Sequence, residues 1–420
     1  MNGNDRAITG FTMVGHAMVH TYELSIPILM TVWLVEFPVT SATLGSVVAV
    51  GYGLFGIGAL PGGVLVDRFG SRRLIVACLF GMGVAFLSLG VMPGIGGIAA
   101  AIALWGVAAS VYHPAGLALI SNGVEKRGAA FAYHGMAGNV GIAGGPFVTA
   151  LLLLAADWRT AAMALAVPAL GAAVAGATVD FDETAAVAAA DGGTTPATDI
   201  DSLPGFLTAT RELFTVGFLT VFVLVLFNGL YYRGMLTFLP NLLGDFLDPL
   251  VDVAPDEGIG PIPDGPLARE FDLSQYLYAG LLAVGIGGQY VGGRLTDAVE
   301  PERGLTAMLA GLVAIALVFV PASRTLPTLL GVSVALGFVL FAMQPLSQAT
   351  IANHSPPGHR GLSFGYTYLA IFGIGALGAS ITGVALTYGS PTAVFVLLAG
   401  FAAVALALGL SVLARDGVTA

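Results

Sequence analysis

Charged residues are scarce in this sequence. Charged side chains make up 10% of its 420 residues, while hydrophobic residues make up 56%. A soluble globular protein carries about 25% charged residues, so a soluble domain is excluded for most of the chain. The mean hydropathy of +0.89 indicates instead that most residues face lipid or other lipid-facing helices.

Cysteine and lysine are almost absent. Cys78, the single cysteine, lies in an apolar run, so neither a disulfide framework nor a cysteine metal cluster is expected. We expect no metal and no cofactor. Lys126 is the single lysine and the net charge is −10, which argues against a basic face that binds nucleic acid. A phosphate-binding G-x-x-x-x-G-K-[ST] string is also missing, which argues against an ATP-driven pump.

Long apolar runs dominate what is present. A membrane-spanning helix needs about 20 mostly apolar residues, and the chain offers twelve such runs. They lie near 8–36, 42–66, 74–92, 95–121, 128–154, 159–179, 214–242, 274–296, 304–322, 325–352, 361–387 and 391–414. The sequence therefore predicts an all-α integral membrane protein with twelve transmembrane helices.

The basic residues predict how the chain is oriented. With both termini in the cytoplasm, eleven basic residues fall on the cytoplasmic side, and only Arg159, Arg269 and Arg324 fall outside. Cytoplasmic loops carry such an excess of arginine and lysine. We therefore expect a multi-pass protein of the cell (plasma) membrane with both termini cytoplasmic.

One hydrophilic loop, between the second and third runs, is rich in glycine and arginine. It reads Gly62-Gly63-Val64-Leu65-Val66-Asp67-Arg68-Phe69-Gly70-Ser71-Arg72-Arg73. Gly293 and Asp297 repeat the spacing of Gly63 and Asp67 at a distance of 230 residues. The loop resembles the one between helices two and three of the major facilitator superfamily. That resemblance implies two six-helix parallel repeats, with the substrate bound near the midplane between them.

The resemblance also implies a conformational latch on the cytoplasmic side. Asp67 is expected to face the N-terminus of the eleventh helix near Gly361, where the helix dipole favours an anion. The residues assigned to this latch are Gly63, Asp67, Arg68, Gly70, Arg72, Arg73, Asp297, Arg127 and Gly361.

Two polar segments divide the chain. We expect an N-terminal six-helix bundle over 1–180, an acidic cytoplasmic linker over 181–213 and a C-terminal six-helix bundle over 214–420. The linker is expected to end in a short surface helix near 204–214. The acidic segment 244–272 is an unusually long outer loop. It is either a solvated insertion or a lid that captures substrate.

The first run carries three titratable side chains on one helical face. His16, His20 and Glu23 are spaced i, i+4 and i+7. A charged group within a span costs about 2.5–3.5 kcal/mol even on lenient insertion scales, which makes it a functional candidate. A carboxylate in a low dielectric retains a proton more readily than in water, and imidazoles titrate near neutrality. We expect these three residues to couple transport to protons; the alternative is that the histidines only pack.

A narrower resemblance rests on three strings. His113-Pro114-Ala115-Gly116, the region Gly15–Pro27 and the run Gly135–Pro146 together resemble the fosmidomycin-resistance branch of the superfamily. That branch commonly has an acidic residue where His20 stands. The spacing of Gly141 and Gly145 resembles a helix-five motif linked with exporters, and it is equally typical of any closely packed membrane helix.

Arg233 is the only arginine well inside a predicted span. A guanidinium pairs in a bidentate manner with a carboxylate or phosphonate, so Arg233 is predicted to bind an anionic substrate. The alternative is that it reaches to the outer membrane surface. The expected substrate-binding residues are Arg233, Tyr232, His113, His134, Asn139 and Gln344.

These patterns predict a secondary active transporter that moves a small organic, anionic solute by alternating access. Proton coupling is expected, and efflux of a drug or antimetabolite by antiport is favoured. Two alternatives are a proton-coupled uptake symporter for an organic acid or other metabolite, and a membrane sensor on a transporter scaffold. We expect no enzymatic activity. The expected partners are the solute, protons and the lipid bilayer, with the chain as a monomer.

Overall fold

The computed structural model describes residues 1–186, 203–251, 272–355 and 360–419, which form twelve long helices. In chain order they are α1 Gly3–Glu36, α2 Ser41–Ile57 with Ala59–Phe69, α3 Ser71–Leu89, α4 Ile95–Ser110 with Tyr112–Gly123, α5 Arg127–Ala155, α6 Trp158–Thr178, α7 Val216–Leu247, α8 Leu273–Ala298, α9 Pro301–Ala322, α10 Leu326–Asn353, α11 Arg360–Tyr388 and α12 Pro391–Thr419. A short linker helix, Leu203–Leu213, lies between α6 and α7 where the sequence predicts one.

Each of the twelve predicted runs coincides with one long helix. Among the described residues, eleven helices are both long and apolar enough to cross a membrane. The remaining one, α8, is 26 residues long and carries Gln275, Gln289, Arg294 and Asp297. The twelve crossings place both chain ends on one side, here called the termini face; the other side is the opposite face. The predicted fold class, an all-α membrane protein with twelve helices, is confirmed.

Two predicted segments lie partly outside the described residues. They are the linker, whose residues 187–202 are not covered, and the long loop, whose residues 252–271 are not covered. Helix α7 continues to Leu247, so the beginning of the predicted loop 244–272 is helical rather than irregular.

Polar side chains begin several of the helices. Asn2, Thr40, Asp157 and Thr215 precede α1, α2, α6 and α7, and each accepts a hydrogen bond from a backbone N–H three residues later. Such caps satisfy amide groups that have no partner within the helix. They explain why these helices begin where the apolar runs do.

The two sets of six helices pack in the same order. In the first set α1 packs on α5, α2 on α4 and α3 on α6; in the second, α7 packs on α11, α8 on α10 and α9 on α12. Glycine permits the closest contacts: a Cβ on Gly106 would lie 2.1 Å from the carbonyl oxygen of Gly51, and one on Gly292 would lie 2.1 Å from that of Ala342. Small residues at crossings allow this approach between membrane helices.

The two halves meet along three helix pairs, α1 with α7, α2 with α11 and α5 with α8. The α2–α11 contact extends from Gly45, whose Cβ would lie 2.5 Å from the carbonyl oxygen of Ala379, to Gly56, which abuts Gly373. Gly373 ends a π-helical turn, Leu369–Gly373, that is followed by a 3₁₀ turn, Ile374–Ala376. Such irregular turns inside a helix often occur at functional sites.

The glycine- and arginine-rich loop is anchored to the end of α6. Gly70 has a φ of 81°, in the region that favours glycine. The carboxylate of Glu183 accepts hydrogen bonds from the backbone N–H groups of Ser71 (2.8 Å) and Arg72 (3.3 Å), and so caps α3. The Arg72 guanidinium donates to the carbonyl oxygens of Gly176 and Ala177 at the end of α6.

Candidate functional site

A central cavity of about 390 Å³ lies between the two halves. Binding cavities for small molecules commonly measure about 300–1,000 Å³. The polar and aromatic side chains of its wall are His16, His20, His113, Phe131, His134, Asn139, Asn228, Tyr232, Gln289, Gln344, Ser347, Gln348, Phe364, Thr367, Tyr368 and Phe372. Among the described lining residues, none is Asp, Glu, Lys or Arg, so the imidazoles are the lining side chains that can carry a positive charge.

The cavity extends toward the termini face. Its wall includes Phe131 near the beginning of α5, Ile351 near the end of α10 and Phe364 near the beginning of α11, all close to that face. On the opposite face the halves are joined, because Gln275 of α8 donates to the Thr31 hydroxyl of α1 at 3.1 Å. The backbone N–H of Ala42 also donates to a side chain of α11, the Thr387 hydroxyl, at 2.9 Å.

Glu23 and Arg233 form a buried ion pair across the two halves. Their side chains are 1% and 3% exposed, and Glu23 Oε1 contacts Arg233 Nη2. The guanidinium carbon lies 4.0 Å from the centroid of the Tyr52 ring, a cation–π distance. A buried charge without a partner is strongly destabilising, so each of the two residues depends on the other.

The second oxygen of Glu23 begins a chain of hydrogen bonds that reaches the cavity. Glu23 Oε2 lies 2.5 Å from His20 Nδ1. His20 Nε2 lies 3.1 Å from His16 Nε2, and His16 Nδ1 lies 2.7 Å from the backbone carbonyl oxygen of His134. His16 and His20 line the cavity, whereas Glu23 is buried and does not line it.

The protonated nitrogen of two imidazoles follows from their partners. A carbonyl oxygen only accepts hydrogen bonds, so His16 Nδ1 carries a hydrogen. Tyr112 donates its single hydroxyl hydrogen to the carbonyl oxygen of Thr12, so its oxygen accepts from His134 Nε2 at 3.2 Å. His134 therefore carries its hydrogen on Nε2.

Glycines hold these imidazoles in position. Gly138, Gly141 and Gly145 share one face of α5 and pack against α1, where a Cβ on Gly141 would lie 2.2 Å from the carbonyl oxygen of Ala17. This contact brings the His16 ring to 3.9 Å from the His134 ring in a stacked arrangement. A Cβ on Gly138 would lie 2.5 Å from His16 Cε1, so Gly138 provides the space that the His16 ring occupies.

Five of the six predicted substrate-binding residues lie at the cavity wall, and the sixth lies behind it. Tyr232, His113, His134, Asn139 and Gln344 line the cavity. Arg233 is not among the lining side chains. It lies behind two rings that line the cavity: its guanidinium carbon is 5.6 Å from the centroid of Tyr232 and 5.3 Å from that of Phe372.

Three lining residues of the second half that carry unpaired polar atoms were not anticipated from the sequence. Asn228 of α7, Gln289 of α8 and Ser347 of α10 each present a buried side-chain oxygen that has no hydrogen-bond partner within the described part of the chain. Unpaired buried polar atoms are costly unless a ligand or water satisfies them. Their position inside predicted spans was the available signal, although neutral amides are less conspicuous there than charges.

His16, His20 and His113 are also the described residues closest to a metal-binding arrangement. One nitrogen of each lies within 4.8 Å of the others. The facing nitrogens of His16 and His20, however, are hydrogen-bonded to each other.

The structure describes the predicted latch except at Asp67 and Gly361. The side chain of Asp67 and the surroundings of Gly361 lie outside the described residues, so the contact predicted between them stays a prediction. Arg72 is bound to the end of α6, within the first half. Arg68 lies over the ring of Phe69, 5.4 Å from its centroid.

The fold and the cavity define a multi-pass helical membrane protein with a solute-sized chamber between two similarly packed halves. The family model of the Major Facilitator Superfamily matches residues 7–254 and 258–419. The chain belongs to this superfamily, whose members are transporters that bind small molecules within the membrane.

Solved transporters share the fold at low sequence identity. A crystal structure of the peptide transporter POT in complex with sulfate has a TM-score of 0.71 at 14% identity, covering 99% of this chain and 95% of that one. A variant of the nucleoside transporter NupG has a TM-score of 0.72 at 11% identity, covering 98% and 100%. A bacterial homologue of the lysosomal transporter Spinster, inward-facing and occupied, has a TM-score of 0.68 at 13% identity, covering 98% and 97%.

A curated relative matches one part of the chain. The puromycin resistance protein pur8 of Streptomyces alboniger is 39% identical over 108 residues, which span 25% of this chain and 22% of that protein.

Proposed function

We propose that this chain is a proton-coupled secondary transporter of a small organic anion, in which Glu23 is the coupling residue. The observation that carries this proposal is the Glu23–Arg233 ion pair, which is buried in the membrane interior and joins the two halves. The pair is connected to the cavity through His20 and His16. Because Glu23 is titratable, its protonation state affects the contact between the halves.

Competition for Arg233 provides the coupling. An anionic group that enters the cavity and passes Tyr232 and Phe372 would replace Glu23 as the partner of Arg233. Glu23 would then be a buried carboxylate without its cation, and it would bind a proton to avoid the cost of an isolated charge. Solute and proton therefore bind together, which corresponds to co-transport in one direction.

Efflux by antiport is the second candidate. The partial likeness to a puromycin resistance protein supports it, as does the resemblance of the first half to the fosmidomycin-resistance branch. In that case the solute binds when the proton leaves. The amide- and hydroxyl-bearing wall formed by Asn228, Gln289 and Ser347 suits a solute with hydrogen-bond donors in either case.

The termini face is the cytoplasmic side in this proposal. Arg6, Arg72, Lys126, Arg127 and Arg303 lie on that face, and such a bias is typical of cytoplasmic loops. The described conformation is then inward-facing, in the plasma membrane, with one chain as the transporting unit. The halves 1–180 and 214–420 would move against each other about the cavity, with 181–213 as the cytoplasmic linker.

Transport by purified protein in proteoliposomes tests the proposal. Organic acids, organic cations and neutral solutes are screened for counterflow and for proton movement reported by a trapped pH dye, with an imposed pH gradient. Wild type should concentrate an organic acid, and protons should move with it. Glu23→Gln should still exchange that solute, because exchange requires no proton release, but should not concentrate it.

Two outcomes would redirect the proposal. If Glu23→Gln concentrates the solute at the wild-type rate, Glu23 is not the coupling residue. If the transported solute moves opposite to the protons, the antiport candidate replaces co-transport.

A further inference from the structure

The hydrogen bonds that join His16, His20 and Glu23, here called the proton chain, need more hydrogens than two neutral imidazoles supply. It contains three hydrogen bonds: from His16 Nδ1 to the His134 carbonyl oxygen, between the two Nε2 atoms, and between His20 Nδ1 and Glu23. Each hydrogen bond needs one hydrogen. Two neutral imidazoles and one ionised carboxylate supply only two.

We propose that the proton chain holds a single exchangeable proton, which enters and leaves at His16. The inference rests on the proposed function. It adds the number of protons that the coupling site carries and the route by which the proton enters and leaves. With three hydrogens in place, the extra proton resides on His16, on His20 or on Glu23. Only Glu23 can hold it with both imidazoles neutral.

The hydrogen-bond partners of the imidazoles determine the route of the proton. The His134 carbonyl oxygen keeps a hydrogen on His16 Nδ1 in every arrangement, so His16 exchanges protons only through Nε2. Both imidazoles line the cavity, but His16 is partly exposed, His20 is buried and Glu23 is fully buried. A proton therefore passes from the cavity to His16 Nε2, then to His20 Nε2, and on from His20 Nδ1 to Glu23 Oε2. On entry, a hydronium ion in the cavity loses one O–H bond as the His16 Nε2–H bond forms, and each later transfer breaks one N–H bond and forms one N–H or O–H bond.

Loss of the proton opens the chain at one place. His16 Nδ1 keeps its hydrogen for the carbonyl oxygen, and His20 Nδ1 keeps its hydrogen for the carboxylate. The two Nε2 atoms then present lone pairs to each other at 3.1 Å, which is repulsive, so the rings separate. Release of the proton thus breaks the contact between His16 and His20 and leaves the one between His20 and Glu23 intact.

Neighbouring helices bring further titratable or charged groups to the proton chain and its immediate partners. They are Tyr52, Tyr112, His113, His134, Tyr232, Arg233, Tyr278 and Tyr368. Among these, the hydroxyl of Tyr112 fixes the hydrogen of His134 on Nε2. His134 is therefore expected to contribute its carbonyl oxygen to the proton chain and its ring only as a stacking surface for His16.

Nitrogen-15 NMR of the histidine side chains tests the inference without any solute. The chain has six histidines, and the full-length protein is labelled at histidine only, reconstituted in lipid nanodiscs and titrated with acid. Single replacements of His354 and His359 assign their signals. The expected result is one protonation event that moves the Nε2 signals of His16 and His20 together, while His16 Nδ1 stays protonated throughout.

Glu23→Gln provides the comparison. The glutamine amide donates to His20 Nδ1, so all three contacts are satisfied with both imidazoles neutral, and the proton uptake of the chain should fall from one to zero. The wild-type titration decides the count even if this variant does not fold. Separate protonation events at His16 and His20, or an unprotonated His16 Nδ1, would overturn the inference.

The two proposals fail in different ways. If the spectra show one shared proton but Glu23→Gln still concentrates solute, the proton chain exists and the coupling function is wrong. If Glu23→Gln loses concentrative transport but the spectra show two independent protons, the coupling function stands and the single-proton chain is wrong.

Discussion

Glu23 of α1 and Arg233 of α7 form the one contact in which opposite charges from the two halves meet inside the described membrane region. Both side chains are buried, and three aromatic rings surround the guanidinium. Removing one partner of a buried pair typically costs about 3–5 kcal/mol, because the remaining charge stays buried and unpaired. Protonation of Glu23 would therefore alter the contact between the halves.

A first prediction concerns stability. Glu23→Gln and Arg233→Gln should each destabilise the protein by about 3–5 kcal/mol, and the double variant should cost less than the sum, because it leaves no unpaired charge. Thermal unfolding in detergent measures this. The exposed pair of Arg159 and Glu36 is the control, and Arg159→Gln should cost at most about 1 kcal/mol. Additive losses at Glu23 and Arg233 would contradict the coupling.

A second prediction concerns recognition of charge. Arg233→Lys keeps the positive charge but loses the planar pair of donors, so affinity for the organic acid should fall about tenfold or more while anions remain preferred. Arg233→Gln should abolish anion binding. Equilibrium binding to purified protein measures both effects. Unchanged affinity in Arg233→Gln, or a cationic solute, would show that Arg233 does not contact the solute.

A third prediction concerns the glycine beside His16. Gly138→Ala places a methyl group 2.5 Å from His16 Cε1, so the ring must move and the contact with His20 should be lost. Proton-driven accumulation should fall while solute exchange persists. Gly144→Ala on the same helix is the matched control, since nothing lies within 4 Å of its Cβ. Equal effects of the two variants would indicate a general change in α5.

A fourth prediction concerns the latch. Asp67→Asn removes the charge that the resemblance places near the N-terminus of α11, where an anion is favoured by the helix dipole. The population open to the termini face should rise. Labelling of a cysteine introduced by Phe131→Cys, at the cavity wall near that face, measures the change. An unchanged labelling rate would count against the latch.

The helices and the central ion pair were predictable for one physical reason each. A bilayer imposes a minimum length on every apolar run, so the run lengths alone indicated twelve helices. Two opposite charges within spans cannot remain unpaired in lipid, so Glu23 and Arg233 were natural partners once both were placed inside the membrane.

Other parts of the site required the structure. Asn228, Gln289 and Ser347 are neutral and far apart in sequence, and only the helix packing shows that all three line the cavity. Gly138 resembles the many other glycines of the chain. The π-helical turn Leu369–Gly373 is fitted against α2 and α7, and such a turn depends on tertiary contacts rather than on local propensity.

The last prediction concerns the seam between α2 and α11. Gly45→Ala introduces a Cβ 2.5 Å from the carbonyl oxygen of Ala379, a backbone atom that cannot move without its helix. The halves should separate at the opposite face, and the transporter should favour the conformation open to that side. Gly53→Ala is the matched control in the same helix, because its Cβ would lie 3.9 Å from the nearest atom, an ordinary contact. Both variants gain the same helix propensity, up to about 1 kcal/mol, so any difference between them reflects the seam.

Labelling of a cysteine introduced by Gln275→Cys, which is buried at the opposite face, should increase in the Gly45 variant and stay unchanged in the Gly53 variant. Equal labelling of the two would show that the α2–α11 contact does not hold the opposite face closed.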